Sequence, residues 1–188
     1  VPADVQSTLA NVQSNNGDGK ATGLLFAINK PLSFIRSSTN SYDWYSLTNS
    51  QWNGRWGDAI NECDESYRYK SETDPCPEGW QVPKYVGSTD ADSPWAKEGV
   101  SSTTPGDYTN FVYSRGYYFT NADYNIGWYP TAGFRNHDST LYDVGIHGDY
   151  WSASPNGHLV RYFNVNVNAV RPYSLHRAYS FTVRCVKE

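Results

Sequence analysis

Apolar and polar side chains alternate between Leu159 and Tyr179. Phe163, Val165, Val167 and Ala169 fall on one parity, and Asn164, Asn166 and Asn168 on the other. A period of two is the pattern of a strand with one face buried and one face in water. The same reading predicts strands at 141–148, 150–154, 159–170 and 179–186, with a turn at Pro155-Asn156-Gly157. Asn-Gly between two strand-like runs is a strong hairpin signal. Upstream, Thr22–Ile28, Leu32–Ile35 and Phe111–Thr120 read as strands, and Gly127–Arg135 as a strand with a break. Val5, Leu9 and Val12 suit a short amphipathic helix over 3–13, ended by Ser14-Asn15-Asn16-Gly17-Asp18-Gly19. Arg55–Cys63 suits a helical turn or two, with Trp56 and Ile60 on one side. Residues 84–110 read as a long loop anchored by Trp95. The picture is one of short strands, few helices and long loops around an aromatic core.

The set of outward residues around this alternation is unusual: His158, Arg161, Tyr162, the three Asn, Arg171, Tyr173, Ser174, His176 and Tyr179. Tyr, Arg, His and Asn supply stacking and adaptable hydrogen bonds, as paratopes do. The plainer reading is an ordinary solvated strand face. Phe163, Val165, Val167, Phe181 and Val183 are the expected buried scaffold. His158, Arg161, Tyr162, Arg171, Tyr173, His176 and Tyr179 are expected exposed and together on one face.

Composition sharpens this. Of 188 residues, 16% are aromatic, including 16 Tyr and 7 Trp, while only 18% are charged. Such a chain is closer to secreted recognition domains than to a metabolic enzyme. The length suits one domain, or one domain with an N-terminal extension. The net charge is −4 and there is no basic tract, which argues against nucleic acid as a partner. No run reaches the roughly 18 apolar residues of a membrane helix, so direct membrane insertion is not expected. The chain has no Met and is expected to start inside a longer precursor. Trp80, Trp128 and Trp151 read as core, whereas Trp52 is open to a contact role.

Catalytic and metal motifs find little support. His137, His147, His158 and His176 form no H-E-x-x-H and read as surface loop residues. Asp90, Asp92 and Asp107 lack the Gly and Glu of a calcium loop. There is no G-x-S-x-G and no phosphate-cradling Gly loop. Glu62, Asp64 and Glu65 are neighbours only in sequence. No enzyme activity and no cofactor are expected. Three cysteines, Cys63, Cys76 and Cys185, fit no zinc spacing. Either Cys76 and Cys185 are bonded, or all three are buried thiols.

Several motifs resemble a known family. Asp74-Pro75-Cys76-Pro77-Glu78-Gly79-Trp80-Gln81-Val82-Pro83 resembles the hallmark of the Fibrobacter succinogenes major paralogous domain, found on fimbrillin-like surface proteins of Bacteroidetes. Pro31-Leu32-Ser33-Phe34-Ile35 followed by Asp43-Trp44-Tyr45 resembles its entry segment. Gly148-Asp149-Tyr150-Trp151-Ser152-Ala153-Ser154 and Phe181-Thr182-Val183-Arg184-Cys185-Val186 resemble its later strands. After Val82-Pro83 the family continues into a short helix with a Trp; here Lys84-Tyr85-Val86 follows and Trp95 comes late. The layout is also similar to the C-type-lectin-like fold of the formylglycine-generating-enzyme subtype. That resemblance implies a Cys76–Cys185 bond and a free Cys63. It does not extend to that subtype's paired catalytic cysteines, nor to the lectins' calcium triplets.

The terminal segment further resembles the variable region of proteins diversified by retroelements, in which Asn codons are rewritten between fixed apolar positions. That resemblance extends the candidate ligand-binding set to Tyr142, Asp143, His147, Asp149 and Leu159, alongside His158, Arg161, Tyr162, Asn164, Asn166, Asn168, Arg171, Tyr173, Ser174, His176 and Tyr179.

The combined expectation is an α+β, C-type-lectin-like domain over 31–188 with an extension over 1–30 holding a short helix and strand. Its implied role is non-enzymatic recognition as an adhesin or receptor-binding domain. The partner is a protein or glycan on a host, bacterial or phage surface. The place is extracellular or cell-surface, or alternatively a phage particle. The competing role is a structural fimbrial or surface-assembly subunit. Sequencing the DNA downstream of the gene checks the diversification idea. A near-copy of the 3′ end carrying adenines at the differing positions, beside a reverse transcriptase, is the expected result. Its absence, with identical 3′ ends in sister isolates, removes the idea.

Overall fold

A computed structural model describes residues 29–30, 34–35, 56, 70–85, 93–97, 111–112, 116–120, 125–157, 159–166 and 168–188. The extension over 1–30, residues 29–30 apart, and the expected helical turn at 55–63, Trp56 apart, lie outside the described residues, as do His158, Val167, Cys63 and the loop and surface acids named above.

The described chain is mostly strand with almost no helix. In order come β1 (Trp80–Gln81), α1 (Pro94–Lys97), β2 (Phe111–Val112), β3 (Gly116–Thr120), β4 (Asn125–Pro130), β5 (Phe134–Arg135) and β6 (Leu141–Tyr142). They are followed by β7 (Gly148–Asn156), β8 (Leu159–Asn166), β9 (Ala169–His176) and β10 (Val186–Lys187). Two three-stranded antiparallel sheets, β2-β3-β4 and β7-β8-β9, carry the architecture, with β1-β10 and β5-β6 as small pairs.

Between the two larger sheets lies an aromatic core. Tyr117, Phe119 and Tyr129 meet Tyr150, Phe163, Val165 and Val170, with Tyr85 and Trp95 closing one side. Trp95 stacks on Phe163 at 4.8 Å between centroids, and Tyr129 meets Phe119 and Tyr150 edge-on at 5.0 and 4.9 Å. Edge-to-face pairs suit the ring quadrupole and add to the burial of large apolar area. With few aliphatics in the chain, aromatic volume fills the interior.

A second cluster of Cys76, Val82 and Ala153, with Val183 and Cys185 against it, ties the chain end to its middle. Cys76 and Cys185 are bonded across 109 residues. The Cys76 loop is set by Asp74, a buried carboxylate that accepts hydrogen bonds from the Cys76 N–H at 2.8 Å and the Val82 N–H at 3.0 Å. Lys70 Nζ donates to the same side chain at 3.2 Å. Beyond this loop, the Ala153 N–H donates to the Pro83 carbonyl and the Tyr85 N–H to Ser154 Oγ, which joins the 82–85 segment to β7.

Several expected elements are cut differently. The single strand at 111–120 is two strands, β2 and β3, folded on each other with Val112 opposite Gly116. The strand at 159–170 stops at Asn166 and turns back, so that Asn166 pairs with Ala169. Asn166 Oδ1 accepts the Asn168 N–H at 2.8 Å, which is how an Asn side chain closes a turn. The polar alternation there therefore belongs partly to a turn, and 169–176 forms a strand of its own. Pro155 and Asn156 lie within β7, and the turn begins at Gly157, whose φ of 62° suits glycine. Most of the expected strand at 179–186 runs as single bridges, Ser180 to Arg135 and Thr182 to Tyr150. The 84–110 loop contains α1, and Trp95 is buried there as expected.

Trp151 is buried, but Trp80 is 44% exposed. Trp80 sits on the two-residue β1, paired only with Lys187 of β10, away from both large sheets. Of the expected scaffold, Phe163, Val165 and Phe181 are buried, whereas Val183 is half-buried.

Closing a loop of 109 residues removes about 5 kcal/mol of unfolded-chain freedom in the chain-entropy picture. Cys76→Ser, or reduction of the wild type, is expected to lower unfolding free energy by about 3–5 kcal/mol in denaturant titrations. A loss below about 1 kcal/mol would contradict a structural role for this bond.

Candidate functional site

Strand register decides which side chains share a face. Tyr150, Phe163 and Pro172 lie opposite one another on β7, β8 and β9, and point into the core. One residue on, Asp149, Asn164 and Arg171 form a row on the outer face, beside a row of Trp151, Tyr162 and Tyr173. Residues of the 177–182 and 131–147 segments reach the outer face through Phe181 and His147. The Trp151 N–H donates to the Thr182 carbonyl at 2.9 Å, and the Thr182 N–H to the Asp149 carbonyl at 3.0 Å. This places Phe181 over Trp151 and Tyr162, at 4.3 and 4.6 Å.

The outer face has a polar floor and an aromatic rim. In the floor, Asn164 Nδ2 donates to Asp149 Oδ1 at 2.6 Å, and Asn166 Nδ2 donates to Asn164 Oδ1 at 2.6 Å. His147 Nδ1 stands 3.5 Å from Asn164 Nδ2 and 3.5 Å from Asp143 Oδ2. In the rim, Tyr162 stacks on Tyr173 at 5.9 Å, and the Arg171 guanidinium lies 4.2 Å over the Tyr173 ring. The rim continues through Tyr179, 6.2 Å from Phe181 and 6.0 Å from Phe134, to Tyr142, which stacks on Phe134 at 5.7 Å.

Burial pushes the Asp149 carboxyl up to about 6; the Asn164 hydrogen bond and His147 pull it down, and Asp143 adds to the rise. Burial likewise raises the Tyr162 and Tyr179 phenols. Asp138, hydrogen-bonded by Thr140, is held below the usual carboxylate range.

Chain matches are absent: no family model, no curated protein and no solved structure matches this sequence.

Ten of the sixteen sequence candidates come together on or beside the outer face: Tyr142, Asp143, His147, Asp149, Tyr162, Asn164, Asn166, Arg171, Tyr173 and Tyr179. The rest do not join it as expected. Leu159, Arg161, Ser174 and His176 alternate onto the core side of β8 and β9. There the Arg161 guanidinium lies 4.8 Å over Tyr85, and Ser174 accepts from Asn156 Nδ2. His176 sits at the end of β9 with its ring 6.4 Å from Tyr179. Asn168 is exposed in the turn, and His158 is outside the described residues.

Exposure also differs from expectation. Of the seven residues expected in solvent, only Arg171 is exposed among those described; Arg161, Tyr162, Tyr173, His176 and Tyr179 are half-buried. Asn164, Asn166 and Asp149 are buried. Period-two alternation marks the side away from the core, but on that side the Phe181 ring lies against Trp151 and Tyr162, and His147 stands by Asn164.

Phe134 and Asp138 were not among the sequence candidates, and His137 was read only as a surface loop residue. The exposed apolar side chains of the 141–146 loop were missed as well, because Leu141–Gly148 reads as a strand. The Asp143-Val144-Gly145 run was the available turn signal. Among the described residues, no group of three or more His, Cys, Asp or Glu side chains is placed to hold a metal ion.

The raised Asp149 value has a stability consequence. In the unfolded chain this carboxyl titrates near the usual 3.8; in the fold it titrates near 6. Its contribution is fully favourable below the unfolded value and is lost as pH rises through the folded one. At neutral pH the ionised, buried group costs up to about 3 kcal/mol. Asp149→Asn is therefore expected to stabilise the protein at pH 7.5, with the advantage shrinking toward pH 4. Thermal unfolding of both proteins across that range checks it. An Asn variant that is less stable at every pH would contradict the assignment.

Proposed function

We propose that this chain is a non-enzymatic recognition domain with a C-type-lectin-like fold, exported and displayed at a cell or particle surface. The observation that carries the reading is the build of the outer face. A buried, mutually hydrogen-bonded Asp149-Asn164-Asn166 floor holds a rim of Tyr162, Arg171, Tyr173 and Tyr179 in place. Rigid aromatic and Arg anchors over a fixed floor are how recognition surfaces limit the entropy cost of binding. Tyr provides contact area, and Arg171 provides a charged, stacked anchor.

The same build fits a contact layer that changes by sequence diversification. Phe163 and Val165 fill the core, while Tyr162, Arg171 and Tyr173 lie on the opposite parity of β8 and β9. Asn164 and Asn166 then belong to the floor rather than to the contact layer.

Screening the protein against a glycan array and a library of extracellular proteins supplies a binder. Tyr173→Ala and Arg171→Ala are each expected to weaken that binder at least tenfold, about 1.4 kcal/mol, with little change in melting temperature. Undiminished binding by both variants would sink the reading.

A further inference from the structure

Trp80 is 44% exposed on the two-residue β1, although an indole is a large apolar surface to leave in water. Its backbone is pinned on both sides. The Trp80 N–H donates to the Pro77 carbonyl at 3.0 Å, and the Trp80 carbonyl accepts from Lys70 Nζ at 2.9 Å. Lys70 is itself held, on Asp74 Oδ1 at 3.2 Å and on the Cys76 carbonyl. The Cys76–Cys185 bond and the Glu188 N–H, which donates to the Gly79 carbonyl at 3.1 Å, fasten the loop to the chain end. A ring in water on so fixed a backbone is not the by-product of a loose loop.

The antiparallel register sets Lys187 directly opposite Trp80. Directly opposite residues share a face of the pair, with Cβ atoms about 5 Å apart. Both side chains are exposed. Among the described residues the Trp80 indole has no ring contact or hydrogen bond, and the Lys187 ammonium has no ion pair, with Glu78 and Glu188 included. The face therefore offers a flat apolar ring beside one unneutralised cation. Gly79 leaves the approach open, since a Cβ there would meet nothing within 4 Å.

We propose that Trp80 and Lys187 form a subsite for an acidic pyranose, a hexuronic acid unit, with its C–H face on the indole and its carboxylate on the Lys187 ammonium. The subsite shares no residue with the outer face and goes beyond the recognition reading above. Size separates this ligand from a protein. A stable protein contact buries about 800 Å² on each partner. Val186, the other exposed apolar side chain of the β1–β10 pair, lies on the opposite face. One indole matches one sugar ring. Charge separates the ligand from a neutral sugar and from a polyanion: Lys187 favours a carboxylate, while the net charge of −4 repels a ligand that carries many.

The test is a titration of the ¹⁵N-labelled, disulfide-intact chain with methyl β-D-glucuronide. Methyl β-D-glucoside, sodium acetate and acetyl-Gly-Glu-Gly-amide serve as comparators. The glucuronide is expected to shift the Trp80 indole N–H and the Gly79 and Lys187 backbone amides saturably. It is expected to bind about fivefold more tightly than the glucoside, the size of an exposed ion pair. Lys187→Gln is expected to bring the glucuronide down to the affinity of the glucoside and to leave the glucoside unchanged. Trp80→Ala is expected to abolish binding of both, with the Trp151 indole signal reporting that the fold is kept. Raising sodium chloride from about 0.05 to about 0.5 M is expected to weaken the glucuronide alone.

No saturable shift of the Trp80 indole, equal affinity for glucuronide and glucoside, or an unchanged glucuronide preference in Lys187→Gln would each overturn the proposal. Acetate or the acidic peptide binding as tightly as the glucuronide would overturn it too, because the carboxylate alone would then account for the shifts.

Discussion

The packing of Phe163 is the constraint from which the rest follows. Trp95 stacks on it, Phe119 and Tyr129 close around it at 5.9 and 5.8 Å, and Tyr150 lies opposite on the next strand. A strand cannot turn over one residue without turning its neighbours. With Phe163 locked inward, Tyr162 and Asn164 are forced outward, and with them the facing Tyr173 and Arg171 on β9. The core thus sets the orientation of the candidate face without touching it. A loosely packed aliphatic at this position would leave the register less sharply defined.

The outer face then faces a conflict of its own. A face built for contact has to expose aromatic and charged groups, but a face built to be stiff has to anchor them. The chain resolves this by depth. Asp149, Asn164 and Asn166 sink to the bottom in a hydrogen-bonded chain, and the Tyr162 and Tyr179 rings lean on Phe181 and Phe134. The disulfide and the parallel bridge from Thr182 to Tyr150 keep the closing segment in place, and through it Phe181. The cost shows at Asp149, whose carboxyl is pushed up to about 6 by burial. Structures commonly keep such unfavourable groups where they act on something else.

Much of this was legible in the chain. The parity of Phe163 and Val165 against Tyr162 and Asn164 is visible without coordinates, because a strand's side chains alternate whatever surrounds it. So is Trp95 as an anchor, since a lone Trp in a polar stretch has to bury its ring. The Asn-Gly signal placed the β7–β8 hairpin to within a residue or two. Tyr142, Asp143 and His147 were reached only through resemblance, yet they lie at the edge of the same face. Asn166–Ala169 was misread because Asn sits equally well on a strand's wet face and in a turn, and alternation alone does not separate the two.

Sequence by itself therefore determined the short-range features: strand parity, the aromatic character of the interior, and the residue types offered for contact. These depend on neighbours one to four positions apart. Only the tertiary structure decided which outward residues stay outward. Residues 177–182, reached after β9 has closed the sheet, come back beside β7 and set Phe181 against Trp151 and Tyr162, while Asn164 is buried among His147, Asp149 and Asn166. It also split Arg161 and Ser174 from Tyr162 and Tyr173, and joined Cys76 to Cys185 rather than leaving three thiols. Each of these outcomes depends on residues far apart in sequence meeting in space, and local alternation carries no record of that.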